Sequence, residues 1–418
     1  MKKSAEHYIS LPVEQLVVGL YVDLEVAWSQ HPFLFRRFKI KTLDEIHIIQ
    51  SLGFSVVKVI PERSSAEPKA AAPESRPKAA KSETSSTMWA KKKHRIEQAE
   101  QFRNRRSELA ERYKEAVKRV KTFTQDVNSA PANAIRDADE VIDSMIGGFQ
   151  EEGTLVMNLI NLSDANFSLY NHALNVTVLA LSLGRAVHMQ PEELRQLGLG
   201  ALLHDIGKVD VPGHILHKRG KLTPSEEKIL ESHPLLGSRL AQRIKLLPKV
   251  TVAAIEQHHE MLDGTGFPGR LKDDDIGLAG RIVAIANLYD DLCNPSDFSK
   301  ALSPKAALAI LYARYRNRLD NTLVERFIYT MGVYPPGTIV QLNDDSVGLV
   351  VAIVPGALLK PTVLLYNPDI PSKDALLLDL QLYNDLSIEG ILKPGEYPPR
   401  IYEYFGMKER LAYFYDRY

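Results

Sequence analysis

The sequence has a single cysteine, Cys293, among its 418 residues. One cysteine cannot form an internal disulfide, and the chain has no Cys-x-x-Cys pair that could hold a structural metal ion. The scarcity of cysteine therefore fits a reducing compartment, and we predict that the protein is cytoplasmic.

Neither sign of charge is in excess, because 52 basic residues are matched by 52 acidic ones. A balanced chain has no overall field that would attract a nucleic acid polymer or an anionic membrane, so any nucleotide site must be local. No stretch approaches the roughly 20 apolar residues of a membrane span. The first residues, MKKSAEH, are followed by mixed polar sequence rather than the apolar core of a secretory signal. We expect neither a membrane span nor a nucleic acid partner.

The composition is 44% hydrophobic and 25% charged, which is typical of globular proteins, and the length predicts two or three domains. Two β-rich runs and a helical run ended by Gly53 predict a small α/β unit at the start of the chain. The fold class that we predict is mainly α, with this α/β unit before the helices and a small β appendage after them. The predicted segments are an α/β domain at 1–62, a flexible linker at 63–90, a helical connector at 91–132, an all-helical domain at 133–335, and a β hairpin with a tail at 336–418.

Within the connector, apolar residues recur at alternating spacings of four and three, the 3.5-residue period of a two-helix seam. The stripe consists of Leu109, Tyr113, Ala116, Val120, Phe123 and Val127. We predict a homodimer through helix 109–127, with signalling proteins as further partners. The repeat covers fewer than three heptads, so the stripe fits equally well a helix that packs on its own domain.

Eight of the twelve histidines lie between His172 and His259. A single histidine on an apolar helical face is more often a hydrogen-bonded core residue than a metal ligand. Five such histidines and one aspartate would each need a separate buried partner, so a shared metal ion explains them better. The candidate ligands are His172, His204, Asp205, His233, His258 and His259.

This region contains four motifs, which are HDIGK at 204–208, ILHKRGKLT at 215–223, HP at 233–234 and HHEMLDGTGFP at 258–268. Together and in this order, they resemble the motifs of the HD-GYP domain. The resemblance implies an all-helical phosphohydrolase of the HD superfamily that binds two or three metal ions, usually iron or manganese. It also implies hydrolysis of cyclic di-GMP to pGpG or GMP in bacterial signalling. The amino-terminal segment is similar to the small domain of unknown function that often precedes HD-GYP domains.

Carried over residue by residue, the resemblance places His172, His204 and Asp205 on one metal ion. It places His233, His258 and His259 on a second ion, with Asp205 bridging the two. It implies that Lys208 faces the phosphate, that Asp205 and Lys208 carry the catalysis, and that four residues contact the substrate. These four are Gly266, Phe267, Pro268 and Lys300.

The sequence departs from the family pattern at several positions. Asn287 is a further candidate metal ligand and stands where the family has a ligating aspartate, although Asp290 or Asp291 could reach inward from the next turn. Phe267 replaces the signature tyrosine, and the basic stretch at 295–300 retains only Lys300. Ser168 stands where three-metal members carry glutamate, so we expect two divalent ions rather than three.

Three hypotheses follow from these departures. The first is a cyclic di-GMP phosphodiesterase whose activity is reduced by Asn287 and by the altered stretch at 295–300. The second is a catalytically weak or inactive receptor or scaffold that retains the metal centre. The third is an HD hydrolase of another nucleotide, because altered substrate contacts on an intact metal centre change specificity first.

Overall fold

A computed structural model gives the fold of the chain. It describes residues 7–27, 30–33, 35–68, 83–152, 169–218, 220–295, 300–354, 356–368, 370–372, 375–383, 386–392 and 398–405. The chain divides into two compact units. The first consists of Met1–Phe102 with Asn367–Leu377, and the second of Arg103–Tyr366 with Leu378–Tyr418.

Residues 7–59 of the first unit contain a four-stranded antiparallel sheet and one α-helix, in agreement with the small α/β unit that the sequence predicts. The strands are β1 (Ile9–Pro12), β2 (Tyr21–Asp23), β3 (Arg37–Lys39) and β4 (Val56–Val59), in the spatial order β1-β4-β2-β3. Helix α1 (Leu43–Ser51) begins at a capping box, in which the Thr42 hydroxyl accepts from the backbone of Glu45 and the Glu45 carboxylate accepts from the backbone of Thr42. Its apolar face packs on the sheet to form the core of this unit.

A buried carboxylate joins two neighbouring strands of this sheet. Asp23 is 2% exposed and accepts hydrogen bonds from Arg36 Nε at 2.7 Å and Arg37 Nε at 2.8 Å. Burial alone would raise the pKa of Asp23, but the hydrogen bonds from the two arginines and the Glu25 backbone outweigh it and lower the pKa. The carboxylate therefore stays ionised.

Helix α2 (Glu83–Asp126) starts within the segment predicted as a linker, of which residues 69–82 lie outside the described part of the chain. The stripe predicted as a dimer seam lies on its second half. Val120, Phe123 and Val127 are 1–3% exposed and pack into a core with the next helices of the same chain. The intramolecular alternative accounts for these residues, so they are not available as an exposed seam. The homodimer stays a prediction.

The second unit is built mainly of helices. They are α3 (Pro131–Glu152), α4 (Leu169–Ala186), α5 (Pro191–Leu202), α6 (Gly213–Leu216), α7 (Pro224–Leu230), α8 (His233–Ile244), α9 (Lys249–Gln257), α10 (Leu278–Cys293), α11 (Pro304–Arg314) and α12 (Asn321–Met331). Helices α4 and α10 are buried over most of their length and form the centre of the largest core. These two central helices carry His172 and Asn287.

A five-stranded sheet follows the helices, with the spatial order β8-β7-β6-β5-β9. Its strands are β5 (Ile339–Leu342), β6 (Val347–Ala352), β7 (Thr362–Tyr366), β8 (Leu377–Asp379) and β9 (Ile388–Ile391), and helix α13 (Pro399–Tyr404) follows. The predicted hairpin is the β5–β6 pair. The mainly α fold class with small β-containing regions at both ends is confirmed. Among the described residues, no helix has the length and apolarity needed to cross a bilayer.

Candidate metal centre

The six predicted ligands come from four places in the helical unit. His172 lies in the first turn of α4, and His204 and Asp205 follow the end of α5. His233 opens α8, while His258 and His259 follow the last residue of α9. The structure brings these six side chains into two groups of three ligand atoms, one of His172, His204 and Asp205 and one of the other three histidines.

Asp205 lies between the two groups. Its Oδ2 atom is 3.5 Å from Nε2 of His204 and 3.9 Å from Nε2 of His172. Its Oδ1 atom is 3.2 Å from Nε2 of His233 and 3.8 Å from Nε2 of His258. One carboxylate thus presents one oxygen to each group, which is the geometry of a bridging ligand.

The donor set fits divalent cations better than it fits a hydrogen-bonded core. Asp205 Oδ1 is buried and has no hydrogen-bond partner among the described residues. The Nε2 atoms of His172 and His204 are only 3.3 Å apart, and those of His233 and His258 are 3.2 Å apart. Imidazole nitrogens and carboxylate oxygens suit zinc, iron, copper, nickel or manganese. A pair of cations would satisfy these converging atoms.

The ring orientation of three histidines is fixed by the backbone of the helix that ends just before each of them. His204, His233 and His258 each direct Nδ1 at the backbone carbonyl three residues earlier, at 2.6 to 2.7 Å. A carbonyl can only accept, so Nδ1 carries the proton and Nε2 keeps its lone pair. Metal-ligating histidines typically have such an outer partner, which directs the other nitrogen at the metal.

His172 has a side chain as its outer partner instead. Its Nδ1 lies 2.7 Å from Asp290 Oδ2. The other oxygen of Asp290 accepts from Asn175 Nδ2 at 3.0 Å and from Asn294 Nδ2 at 2.8 Å. Burial lowers the pKa of His172, but the hydrogen bond to Asp290 and the charges of Asp291, Asp290 and Asp205 outweigh it and raise the pKa to about 9.

Charge around Asp205 keeps its carboxyl group ionised. Burial would raise the pKa of Asp205, yet the Lys208 ammonium and His204 hold it well below its ordinary value. Lys208 Nζ lies 2.5 Å from Asp205 Oδ2. Burial lowers the pKa of both His258 and His259, so both rings are neutral and able to ligate at neutral pH.

A glycine allows the two halves of the centre to approach each other. Residues Ile206–Asp210 form a 3-10 turn directly after Asp205, and this turn packs on α8. A Cβ atom at Gly207 would lie 2.0 Å from the carbonyl oxygen of His233 and 2.4 Å from the backbone nitrogen of Gly237. Only glycine therefore lets the backbone after Asp205 contact the start of α8.

The loop after His259 is organised by a buried carboxylate. Glu260 is 2% exposed and accepts from the backbone nitrogens of Gly269 at 2.5 Å and Leu271 at 3.0 Å. At Gly266, a Cβ atom would lie 2.4 Å from the backbone nitrogen of Met261, so the loop folds tightly on itself. This loop holds the Phe267 ring against His259, with centroids 4.5 Å apart and planes 24° apart.

Comparison with known proteins agrees with this arrangement. Residues 154–323 match the family described as "HD domain", and residues 8–138 match a domain of unknown function, DUF3391. The chain is 28% identical to "Cyclic di-GMP phosphodiesterase PA4108" of Pseudomonas aeruginosa over 84% of each chain. The chain therefore contains an HD domain after a DUF3391 domain, and its relatives are of the HD-GYP type. HD domains depend on metal ions, so the clustered donors have a family counterpart.

Two further proteins are similar to parts of this chain. "3'3'-cGAMP-specific phosphodiesterase 2" of Vibrio cholerae is 32% identical over 44% of this chain, which spans 36% of that relative. The solved structure of Bd1817, a 'HDG"Y"P protein' from Bdellovibrio bacteriovorus, covers 77% of this chain and 98% of its own. Its sequence identity is 17% and its TM-score is 0.44.

Asn287, the main departure from the HD-GYP pattern, lies at the centre itself. It is 4% exposed, and its Oδ1 atom is 2.8 Å from Nε2 of His172. Asp290 lies on the opposite side of the His172 ring, at Nδ1, so it is an outer partner rather than a ligand that reaches inward. The neutral amide of Asn287 therefore lies beside His172, at the position where the resemblance predicts a ligating carboxylate.

The predicted substrate residues fall into two sets. Gly266, Phe267 and Pro268 lie in the loop beside His259, where Phe267 presents a half-buried ring. Lys300 is exposed, and residues 296–299 before it lie outside the described part of the chain, as does Ser168. The loop residues therefore adjoin the donor groups, and the role of Lys300 stays a prediction.

Sequence reasoning missed three residues that support the HD-GYP centre: Asn175, Glu260 and Gly207. Asn175 follows His172 by three positions, the spacing that places two side chains on one helical face. That spacing was a usable signal. The contacts of Glu260 and Gly207 depend on how distant backbone segments meet, and no local spacing reveals them.

Proposed function

We propose that this protein is a metal-dependent phosphodiesterase that hydrolyses cyclic di-GMP to pGpG or GMP in bacterial second-messenger signalling. The observation that carries the proposal is the position of Asp205, with one oxygen facing each of two donor groups. The relatives named as cyclic di-GMP phosphodiesterases support the substrate. The proposed cofactors are two divalent ions, iron or manganese, and the proposed location is the cytoplasm.

In the proposed centre, His172, His204 and Asp205 would hold one ion and His233, His258 and His259 would hold the other, with Asn287 offering an additional oxygen beside His172. The ions would supply Lewis-acid activation of the attacking water and would neutralise charge on the phosphodiester oxygens. Asp205 presents one carboxylate oxygen to each donor group. Its ionised state makes it a suitable bridge at neutral pH.

The remaining residues act on the substrate. In the reaction, a water oxygen bonds to phosphorus, the bond from phosphorus to O3′ breaks, and O3′ takes up a proton. The Lys208 ammonium lies beside the bridging carboxylate, so it can stabilise negative charge on a phosphate oxygen at the ions. Phe267 offers an aromatic face next to His259, on which a guanine base can stack.

Two other functions are distinguished from this proposal by experiment, although the relatives named as cyclic di-GMP phosphodiesterases favour neither. One is hydrolysis of a different cyclic dinucleotide, as in the relative named for 3′3′-cGAMP. The other is a receptor or scaffold that binds metal but turns over slowly because Asn287 lies beside His172. Binding without consumption would identify the receptor, and faster consumption of 3′3′-cGAMP would identify the other hydrolase.

The proposal is tested on protein purified without oxygen, with its metal content measured beside its turnover. Cyclic di-GMP and 3′3′-cGAMP are offered separately with iron and with manganese, and pGpG and GMP are quantified. We expect about two ions per chain and consumption of cyclic di-GMP at catalytic protein concentration. A protein that binds two ions and hydrolyses neither nucleotide would contradict the enzyme proposal.

The homodimer and the signalling partners are proposals that rest on the sequence pattern alone. Val120 and Phe123 are buried by their own chain, so their replacement by lysine should unfold the helical unit rather than release monomers. Sedimentation of the wild-type protein over a range of concentrations tests self-association directly. A monomer at high concentration would contradict the dimer.

A further inference from the structure

The side chain of Tyr113, on helix α2, reaches the outer partners of the metal centre. Tyr113 has a partly exposed ring, but its hydroxyl lies 2.8 Å from Asn175 Oδ1. Asn175 is 0% exposed, and its Nδ2 atom lies 3.0 Å from Asp290 Oδ1. Asp290 Oδ2 in turn lies 2.7 Å from Nδ1 of His172. A chain of three hydrogen bonds thus connects α2 to a proposed metal ligand.

The direction of each hydrogen bond is fixed by chemistry. An ionised carboxylate only accepts, so both Asn175 Nδ2 and His172 Nδ1 donate to Asp290. The amide of Asn175 must therefore direct its oxygen at Tyr113, and the Tyr113 hydroxyl must donate to it. The hydroxyl also lies 3.4 Å from the Asn171 carbonyl oxygen, a weaker acceptor by distance.

Loss of the Tyr113 hydroxyl would change the hydrogen bonding of Asp290. The Asn175 oxygen would lose its closest donor at a fully buried position, which is unfavourable unless the amide moves. Movement of the amide would shift its Nδ2 atom and with it the hydrogen bond that holds Asp290. Because Asp290 orients the His172 ring, a small displacement there changes how Nε2 is presented to a metal ion.

We propose that Tyr113 is a positioning residue for His172, so that the position of helix α2 is coupled to the affinity of the metal ion that His172 holds. The inference rests on the metal centre proposed above. A displacement of α2 that withdraws the Tyr113 hydroxyl from Asn175 would weaken metal binding. By linkage, metal binding favours the position in which Tyr113 is hydrogen-bonded to Asn175, and by the same factor. Metal occupancy is then a property that this helix can adjust.

The test is a manganese titration of metal-free protein, followed through the free ion by electron paramagnetic resonance. Tyr113→Phe removes the hydroxyl and keeps the ring. We expect the dissociation constant of one ion to rise roughly threefold to tenfold, less than the loss of a direct outer partner, while the other ion binds as in wild type. Tyr329→Phe, which removes a hydroxyl from a ring that is 51% exposed on α12, is the matched control and should change neither constant.

A double-mutant cycle shows whether Tyr113 acts through Asp290. In an Asp290→Asn background, Tyr113→Phe should have almost no further effect, because the connection is already broken. If Asp290→Asn does not fold, Asn175→Ala takes its place in the cycle. Wild-type affinity for both ions in Tyr113→Phe, equal weakening of both ions, or additive effects in the cycle would each overturn the proposal. All these readouts are independent of nucleotide hydrolysis, so an inactive wild type with two bound ions would contradict only the proposed function.

Discussion

Four of the five histidines of the centre are oriented in two different ways. His204, His233 and His258 each direct Nδ1 at a carbonyl three residues earlier in the chain. His172 directs Nδ1 at Asp290, which is 118 residues away. The first arrangement forms wherever the helix end forms, whereas the second requires α4 and α10 to pack in register. Three of the rings are thus oriented locally, and the fourth depends on the assembled core.

Removal of Asp205 should abolish metal binding at both donor groups, however their histidines are oriented. Asp205→Ala deletes an oxygen from each donor group, so we expect loss of both ions and a loss of phosphodiesterase activity of more than about 100-fold, the upper range for an outer-shell partner. Metal analysis and turnover measure the two effects. Two bound ions with unchanged turnover would show that Asp205 is not the bridge.

Removal of Asp290 should separate the two arrangements. Asp290→Asn weakens the outer partner of His172 alone, so we expect affinity for one ion to fall roughly 10-fold to 100-fold while the other is retained. Manganese titration of metal-free protein measures both constants. The matched control is Asp23→Asn, which alters a buried carboxylate paired with arginines in the amino-terminal domain and should leave both constants unchanged.

A carboxylate at position 287 should raise the metal affinity of the group that contains His172, the histidine whose orientation depends on tertiary packing. Asn287→Asp places an anionic oxygen where the amide oxygen lies 2.8 Å from Nε2 of His172, so we expect that ion to bind about tenfold more tightly. Turnover should rise with occupancy at limiting metal. Weaker binding together with slower turnover would indicate that the amide is suited to this position.

The two arrangements should also differ in their response to pH in metal-free protein. The pKa of His172 is about 9, above its ordinary value of 6.5, so its contribution to stability is complete below pH 6.5 and is lost as pH rises through 9. Burial lowers the pKa of His258, so its effect is opposite, and stability falls as pH drops below 6.5. Asp290→Asn should therefore cost most stability near pH 6.5 and least near pH 9.5.

Chemical denaturation of the metal-free wild type and of Asp290→Asn across this range measures the difference in the free energy of unfolding. A gap between the two proteins that stays constant from pH 6.5 to pH 9.5 would show that Asp290 does not hold a proton on His172.

Much of the fold followed from local patterns. The amino-terminal α/β domain, the successive helices and the β5–β6 hairpin were each predicted from periodicity and turn residues, and the fold class and family were confirmed. The stripe on α2 was ambiguous, because a 3.5-residue period describes packing against any helix, whether from a second chain or from the same one. Only the burial of Val120 and Phe123 within their own chain distinguished the two.

The sequence by itself predicted the candidate donors and determined the orientation of three of them, because His204, His233 and His258 each follow a helix whose last turn supplies the acceptor. Tertiary structure alone decided that Asp205 presents one oxygen to each group and that Asp290 orients His172. It also decided that Gly207 contacts the start of α8. The physical reason is the separation along the chain between the bonded groups. A hydrogen bond to a carbonyl three residues away forms together with the local backbone, whereas a bond between α4 and α10 forms only after their apolar faces pack together.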